Sequence, residues 1–412
     1  SACGKGGQWQ RALGLLDSMR ELRVEPDVVS CNAAVSACGA HGQWRAALAL
    51  LDATGRMRIE PDVVSCNAAI GACEGAWLAA LALLSSMLAP QRPRPDEFSC
   101  TAAISACVKS GPWQLGLAIF ASMARLHLRP GLSSLTAAIS ICEKAGRWQD
   151  ALGLFGSMAE RRLDPDVFTC SAIVSACRNG GQWQRSLGFF DAMLRRQIAP
   201  NVVSCSSAIS ACQEAGRWQT ALTLLDSMKT LRIEPNILSY NAALRSCGEG
   251  GMWQLSLSIL RAMEASMLAP DRSSYNALLD VVVDQPIVWD VFKEAVQRRH
   301  YPRLFQGSGK ILDVHQLSVG GAAVAVLCRL THEAARRRAG IREYSRLRII
   351  TGWGKSRRTY ETAQINHATV GDLLRTLGVP TIPGQGPGCH LFWVRHLDAA
   401  LGGAGRAPPN KK

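Results

Sequence analysis

The chain has 412 residues, of which 48% are hydrophobic, and a net charge of +14. This content suffices for a long buried core, but no apolar run reaches the roughly 18 residues of a membrane-spanning helix. The charge is uneven, with 26 Lys/Arg against 25 Asp/Glu through Phe292 and 20 against 7 from Lys293 onward. The last third is therefore expected to contact a polyanion, or else to form a solvated basic surface.

A tryptophan-centred phrase recurs from the first residues onward. Eight of the eleven Trp are 33 to 36 residues apart: Trp9, Trp44, Trp77, Trp113, Trp148, Trp183, Trp218 and Trp253. The phrase Pro-Asp-Val-Val-Ser-Cys-Asn-Ala-Ala at Pro26 recurs in step with them. A period of this length is typical of solenoids, in which each repeat buries its apolar face against the next.

One period reads as a helical hairpin. Cys31, Val35 and Cys38 have the spacing of one helix face, and Asp27 is placed to cap that helix. Glycines at 39 and 42 break it, and a second helix is predicted from Gln43 to Arg58. We expect the Trp to be an apolar knob between hairpins, with base stacking as the weaker alternative. The predicted fold is mostly α, an α-solenoid of helical-hairpin repeats followed by a small α/β domain.

The fifteen cysteines follow the same register. Twelve of them recur at two positions of the hairpin, seven residues apart, which is about 10 Å along a helix and too far for a disulfide. No Cys-x-x-Cys pair is present, so zinc is not predicted. We expect small, buried, free thiols in a reducing compartment.

The hairpin register also predicts the domain ranges. Ser1-Ala2-Cys3 matches Ser36-Ala37-Cys38 inside a first helix, so the chain is expected to be a fragment that begins within a repeat and lacks its targeting peptide. The repeats are predicted over 1–284, as about seven complete hairpins after a truncated one. A cap and linker over 285–309, an α/β domain over 310–401 and a disordered tail over 402–412 follow.

The last domain has a different pattern. Strands are predicted at 311–315, 347–350 and 390–394, and helices at 318–338 and near 370–377. Asp313 and His315, two apart on a strand, would share one face. Such a pair can activate a water molecule or a metal-bound hydroxide, and a structural hydrogen-bonded pair is the alternative.

The hairpin, with its opening phrase and its Pro-Asp ending, resembles the pentatricopeptide repeat family over residues 1 to 284. The resemblance implies single-stranded RNA as the partner, with one base per repeat. No membrane is predicted as a partner, since no apolar run is long enough to span one. In that family the fifth and last residues of a repeat read the base edge, and the second residue packs on the base. A helical scaffold that binds a peptide is the alternative.

Transferred to this sequence, the resemblance implies the target U-U-N-G-A-A-U, 5′ to 3′. The implied base-reading residues are Asn32, Asp62, Asn67, Asp96, Thr101, Thr136, Asp166, Ser171, Asn201, Ser206, Asn236, Asn241 and Asp271. The implied base-stacking residues are Val29, Val64, Phe98, Phe168, Val203 and Leu238. Thr101 pairs with Gly131, which departs from the family pattern, so this repeat has no assigned base.

The motifs Leu-Asp-Val-His at Leu312 and Thr-Gly-Trp-Gly at Thr351 together resemble the small MutS-related domain family over residues 310 to 401. The resemblance implies nucleic-acid binding and a possible endoribonuclease with Asp313 and His315 as catalytic residues, or an inactive form of that domain. Mg²⁺ is the only cofactor considered, and only for an active nuclease. The combination of modules implies a role in RNA processing, stability or expression in an organelle. The chloroplast is favoured over the mitochondrion. The implied phosphate-binding residues are Thr351, Gly352, Gly354, Lys355, Arg357 and Arg358.

Overall fold

A computed structural model describes residues 9–22, 24–56, 59–89, 92–307, 310–340, 346–352, 357–382, 388–394 and 397. Most of them are helical, as predicted. The first helices of the hairpins are α2 Val28–Gly39, α4 Val63–Ala72, α6 Glu97–Ser110, α8 Leu132–Lys144, α10 Val167–Asn179, α12 Val202–Glu214, α14 Ile237–Glu249 and α16 Arg272–Val281. The second helices are α1 Trp9–Glu21, α3 Trp44–Arg56, α5 Trp77–Ser86, α7 Trp113–Arg125, α9 Trp148–Glu160, α11 Trp183–Arg195, α13 Trp218–Thr230 and α15 Trp253–Ala265.

Capping sets where each first helix begins. Asp27 is extended and accepts a hydrogen bond from the backbone N–H of Ser30, while the Ser30 hydroxyl accepts from the N–H of Asp27. This reciprocal capping box satisfies two of the N–H groups that a helix start leaves unpaired. Asp62, Asp96 and Asp271 repeat it. The predicted N-cap role of Asp27 is confirmed.

The repeated Trp begins each second helix and is half-buried. Its ring packs against a glycine at the end of the following first helix: a Cβ on Gly180 would lie 2.1 Å from Trp148 Cδ1, and one on Gly250 would lie 2.4 Å from Trp218 Cδ1. The outer ring face is covered by arginine in places, as where the Arg185 guanidinium lies 4.9 Å from the Trp148 ring centre. The predicted structural role of the Trp is confirmed.

The chain forms two compact packing units, Ser1–Ala211 and Cys212–Lys412. In the first unit, α2, α4, α6, α8 and α10 pack side by side in one layer, and the second helices pack against them. The layer's core consists of small and β-branched side chains such as Cys107, Ile104 and Ile139, which are buried. This packing does not decide where the repeats end in the sequence, so the predicted domain ranges stay a prediction.

In the second unit, the hairpin layer continues directly into the α/β part. Helix α14 packs on α16, and α16 packs on a long helix, α18 Val319–Arg338. Helix α17 Val288–Gln297 lies within the range predicted as cap and linker and also contacts α18. Helix α18 therefore occupies the place beside α16 that a further first helix would take.

A four-stranded sheet completes the α/β part. Its order is β1 Phe305–Gln306, β2 Ile311–Asp313, β3 Arg346–Ile350 and β4 Cys389–Trp393, with β2 and β3 parallel and the two outer pairs antiparallel. The helix predicted near 370–377 is too short, because α19 runs over Arg357–Thr376. The strand predicted over 311–315 ends at Asp313, and His315 lies in a turn. Among the described helices, none has the length and apolarity to cross a membrane.

Candidate RNA interface

An exposed side chain recurs at the second position of seven first helices, α2 to α14, whereas Ser273 at this position of α16 is half-buried. The six apolar members are between 55% and 73% exposed; they are Val29, Val64, Phe98, Phe168, Val203 and Leu238. A single exposed apolar residue is ordinary, but the same position exposed in successive hairpins is a regular feature of the surface. These residues are the predicted base-stacking set, and the helix register leaves each of them accessible to a ligand.

The predicted base-reading residues are hydrogen bonded in pairs across consecutive hairpins. The amide of Asn32 donates to Asp62 Oδ1 at 3.3 Å, and that of Asn67 donates to Asp96 Oδ1 at 3.1 Å. In the second unit, the Asn241 amide donates to Asp271 Oδ1 at 3.2 Å. The fifth residue of one repeat and its last residue are therefore brought together by the stacking of hairpins.

Ser171 and Thr136 make a related contact with shorter side chains. The Ser171 hydroxyl lies 3.0 Å from Asn201 Oδ1, and Thr136 reaches Asp166 through the hydroxyl of Thr169. The Thr101 hydroxyl instead donates to the carbonyl of Glu97 at 2.8 Å. The Ser206 hydroxyl donates to the carbonyl of Val202, and Asn236 caps helix α14.

The fifth residues lie deeper than the second residues. Asn32, Asn67, Thr101 and Thr136 are half-buried, while Ser171, Ser206 and Asn241 are buried. Asn32 Oδ1 has no hydrogen-bond partner among the described residues. A base that reaches these groups must therefore insert its edge between an exposed second residue and the capping residue of the next hairpin.

The capping carboxylates are held in their charged form. Burial by itself would raise the pKa of Asp271, but hydrogen bonds from the Ser274 N–H, the Ser274 hydroxyl and the Asn241 amide together lower it. The pKa values of Asp62 and Asp96 are lowered by the same balance. The interface therefore presents acceptor oxygens in these repeats.

Glu97 is a site residue that the sequence reasoning missed. Gly131 has no side chain to cap α8, and the Glu97 carboxylate of the preceding hairpin accepts from the Gly131 N–H at 2.7 Å instead. The Ser134 hydroxyl lies 3.3 Å from the same oxygen. A Cβ on residue 131 would lie 2.4 Å from Glu97 Oε1, so the glycine makes room for this carboxylate. Its one signal in the sequence is an acidic residue where most other hairpins begin with an aliphatic one.

Asp313 and His315 form a hydrogen-bonded pair although they are not on one strand. His315 Nδ1 is 2.5 Å from Asp313 Oδ1, and the Gln306 amide donates to Asp313 Oδ2 at 3.2 Å. The Asp313 side chain is almost buried and that of His315 is 39% exposed. With Nδ1–H donating to the carboxylate, Nε2 carries the lone pair and can accept a proton.

The Thr-Gly turn after β3 contacts this pair. Gly352 has a φ of +92°, and a Cβ there would lie 2.7 Å from the His315 Cβ, so only glycine fits. Thr351 is buried, its N–H donates to the Gly388 carbonyl, and its hydroxyl is 3.1 Å from His367 Nδ1. The phosphate-binding role of these two residues stays a prediction. Gly354 and Lys355 lie outside the described residues, as do the side chains of Arg357 and Arg358.

The described residues do not fit a magnesium site built by the protein alone. Asp313 is the one carboxylate of the pair, and both of its oxygens already lie within hydrogen-bond distance of a neighbour. No group of three or more His, Cys, Asp or Glu side chains suitable for a metal occurs in the described part of the chain. We therefore derive no step that involves a metal ion.

Asn276 is a second residue that the sequence reasoning missed. It follows Asn241 by 35 residues and so is the fifth residue of a further hairpin, a signal that counting alone could have found. Its amide donates to the Gln316 carbonyl at 3.0 Å, and its Oδ1 accepts from the Tyr301 hydroxyl at 2.7 Å. Asn276, the fifth residue of the last hairpin, therefore binds the segment next to His315. Asn32, Asn67 and Asn241 at the same position each bind a capping carboxylate instead.

Stacked hairpins with a regular line of hydrogen-bonded pairs define an α-helical repeat protein. The profile of the pentatricopeptide repeat domain matches residues 14–76, 118–180 and 189–250, and that of the PPR repeat matches residues 1–24, 98–128 and 168–198. The chain thus contains pentatricopeptide repeats. Among curated proteins, no significant match to the sequence was found.

Solved structures of pentatricopeptide repeat proteins resemble the chain at low identity. PPR10 from maize is 19% identical, with 92% of this chain and 58% of that chain covered and a TM-score of 0.45. PPR10 in complex with an 18-nt psaJ RNA element is 14% identical over 82% of this chain and 58% of that chain, with a TM-score of 0.43. The PPR domain of Arabidopsis thaliana protein-only RNase P 1 in complex with tRNA is 20% identical over 43% of this chain and 92% of that domain, with a TM-score of 0.38. The chain thus spans 58% of the length of the first two.

Proposed function

We propose that this protein binds single-stranded RNA in a sequence-specific manner, with one base per hairpin. The observation that carries the proposal is the regular alternation of an exposed second residue with a polar pair, such as Asn32 with Asp62, in consecutive hairpins. The exposed residue offers a face on which a base can pack, and the pair offers hydrogen-bond donors and acceptors at its edge. A peptide-binding scaffold has no need of a polar pair that recurs at one position.

The first prediction concerns one base of the proposed target. The Asn32→Thr variant recreates the Thr136 and Asp166 combination of another hairpin, so the preference at the first base should change from uracil to guanine. Binding to labelled U-U-N-G-A-A-U and to single-base variants of it, measured by titration, checks this. The affinity of the variant for U-U-N-G-A-A-U should fall by roughly tenfold, as expected for 1–3 kcal/mol per good base contact.

The control is Ser36→Ala, one helical turn along the same helix and exposed. It should leave the base preference unchanged. A uniform loss of affinity for all sequences in Asn32→Thr, or equal binding of scrambled RNA by the unaltered protein, would contradict base reading and favour the scaffold.

RNA cleavage is a second candidate because the Asp313 carboxylate lies within hydrogen-bond distance of His315 Nδ1, an arrangement that lets Nε2 accept a proton. A histidine held in this way can act as a general base toward a hydroxyl or a water molecule. The same incubations, with and without Mg²⁺, should then yield products that Asp313→Asn and His315→Ala abolish. Tight binding without products would mean that the C-terminal part only holds RNA. We further propose an organellar role in RNA processing, stability or expression, with the chloroplast favoured over the mitochondrion.

A further inference from the structure

A large cavity lies within the second packing unit, between the last hairpins and the segment that carries His315. Its volume is about 1550 Å³, more than the roughly 300–1,000 Å³ of a typical small-molecule site. The walls come from Gln213 of α12, from the end of α14, from the length of α16, and from residues in the ranges 299–303 and 315–318. The space is large enough for at least one nucleotide.

The cavity lies where the line of repeat positions leads. Asn276, the fifth residue after Asn241 in the 35-residue register, is part of its wall, and so is Ser273 at the second position of the same helix. Asp271, the last residue of the preceding repeat, lines it as well. A strand that follows the repeats by one nucleotide per hairpin therefore arrives at this cavity after the base that Asn241 and Asp271 would read.

The charges of the cavity suit a phosphodiester. Four arginines line it: Arg245, Arg272, Arg299 and Arg303. Asp271, Asp280 and Glu249 also line it. Asp271 accepts from Asn241, and Asp280 accepts from the Gly320 N–H at 2.8 Å. Glu249 Oε1 is 3.5 Å from the Gln213 amide. The carboxylates thus have partners within the protein. Arg245 donates to the Ser273 hydroxyl at 2.6 Å, and guanidinium groups are suited to bidentate contact with phosphate.

We infer that this cavity binds the nucleotides immediately 3′ of the recognised tract and holds their phosphates with its arginines beside His315. The inference rests on the proposed function and on the 5′-to-3′ direction implied for the repeats. It places the first unread phosphate next to His315. If the chain cleaves RNA, the cut falls just 3′ of the last read base.

The test compares three RNAs: the seven-nucleotide U-U-N-G-A-A-U, the same RNA with four added nucleotides at its 3′ end, and the same RNA with four added at its 5′ end. Affinities for the full chain are measured as a function of salt concentration. Each phosphate of a single-stranded RNA that the protein holds steepens the slope of log K against log salt by about 0.7. We expect a slope steeper by about 1.4 for the 3′ extension, corresponding to two phosphates, and no such change for the 5′ extension.

The matched variants are Arg299→Ala with Arg303→Ala in one chain, and Arg261→Ala, an exposed arginine of α15 outside the cavity. The double variant should lose the effect of the 3′ extension while it still binds the seven-nucleotide RNA, which also shows that it is folded. Arg261→Ala should retain the effect. Equal slopes for the two extensions, or an unchanged 3′ effect in the double variant, overturn the inference alone. Failure of the unaltered protein to bind the seven-nucleotide RNA overturns the proposed function as well.

Discussion

Single side chains in this protein serve the fold and the proposed interface at the same time. Asp96 caps α6, and one of its oxygens also receives the Asn67 amide of the preceding hairpin. The Ser99 hydroxyl then donates to Asn67 Oδ1 at 2.5 Å. Helix capping alone would explain an Asp at this position, but the pair with the fifth residue exists only because two hairpins stack. A base that contacts such a pair meets polar groups whose positions are already fixed.

Glu97 gives a prediction at the residue scale. Glu97→Ala removes the acceptor of the Gly131 N–H, which leaves the start of α8 without any side-chain cap. We expect a loss of about 1 kcal/mol in the free energy of unfolding, the usual cost of a lost cap. Urea denaturation followed by circular dichroism measures it.

Glu97→Ala with Gly131→Asp is the matched control. The second change restores the capping residue that the other hairpins carry, and Glu97→Ala frees the space that a Cβ at 131 needs. Stability should return at least in part in the double variant. A Glu97→Ala protein as stable as the unaltered one would show that the carboxylate contact contributes nothing.

At the level of the helices, caps of one kind recur at successive hairpin starts. Their carboxylates have pKa values below the ordinary 3.8. A group whose pKa is lower in the folded than in the unfolded chain stabilises the fold above the unfolded value and loses that effect as the pH falls through the folded value. The repeats should therefore lose stability together below about pH 4, because the same group titrates in several hairpins.

Asp271→Asn tests this pH dependence. Asparagine caps a helix about as well as aspartate does and already does so at Asn236, so stability at pH 7 should hardly change. The fall in the free energy of unfolding between pH 5 and pH 3 should be smaller than in the unaltered chain, since one titrating group is gone. Urea titrations across this range provide the measurement. The control is Asp284→Asn, an exposed residue after α16; a reduction as large in this variant would argue against the cap.

Over the whole molecule, the buried layer of first helices carries thiols in both packing units. Burial raises the pKa of Cys73, Cys100, Cys142 and Cys177 in the first unit, and of Cys212 and Cys247 in the second, to about 11. Because the thiolate is the reactive form, these cysteines are inert while the layer stays closed. The twelve cysteines of the hairpins are free and buried, which confirms the sequence-based expectation for them, whereas Cys328 and Cys389 are half-buried.

Alkylation should therefore report the opening of the layer. In a chain with Cys3, Cys328 and Cys389 replaced by serine, iodoacetamide at pH 8 should label almost no cysteine in native buffer. Labelling should rise with urea in parallel with the loss of helical signal, and mass spectrometry identifies the modified residues. Rapid labelling of Cys73 or Cys247 without urea would mean that the layer opens readily in the native state.

Most of the fold could be predicted from the sequence because it consists of repeats. Period, caps and glycine breaks are local signals, so Val28–Gly39 and Trp44–Arg56 agree with the predicted helices to within two residues at each end. The predicted reading pairs also follow from counting, because a regular stack brings the fifth residue of a repeat beside its last residue, 29 or 30 positions later. Asn276 follows the same rule, since it lies one period of 35 residues after Asn241.

Contacts that join different elements were decided only by the tertiary structure. The Glu97 carboxylate at Gly131 depends on a side chain that no other hairpin carries at this position. The packing of α18 against α16 and the arginines around the cavity involve residues whose spacing follows no period. His315 meets Asp313 because a turn folds its ring back, not because the two share a strand. The periodic sequence by itself determines the helices and caps of each hairpin. The end of the array depends on packing between distant segments, which no local pattern encodes.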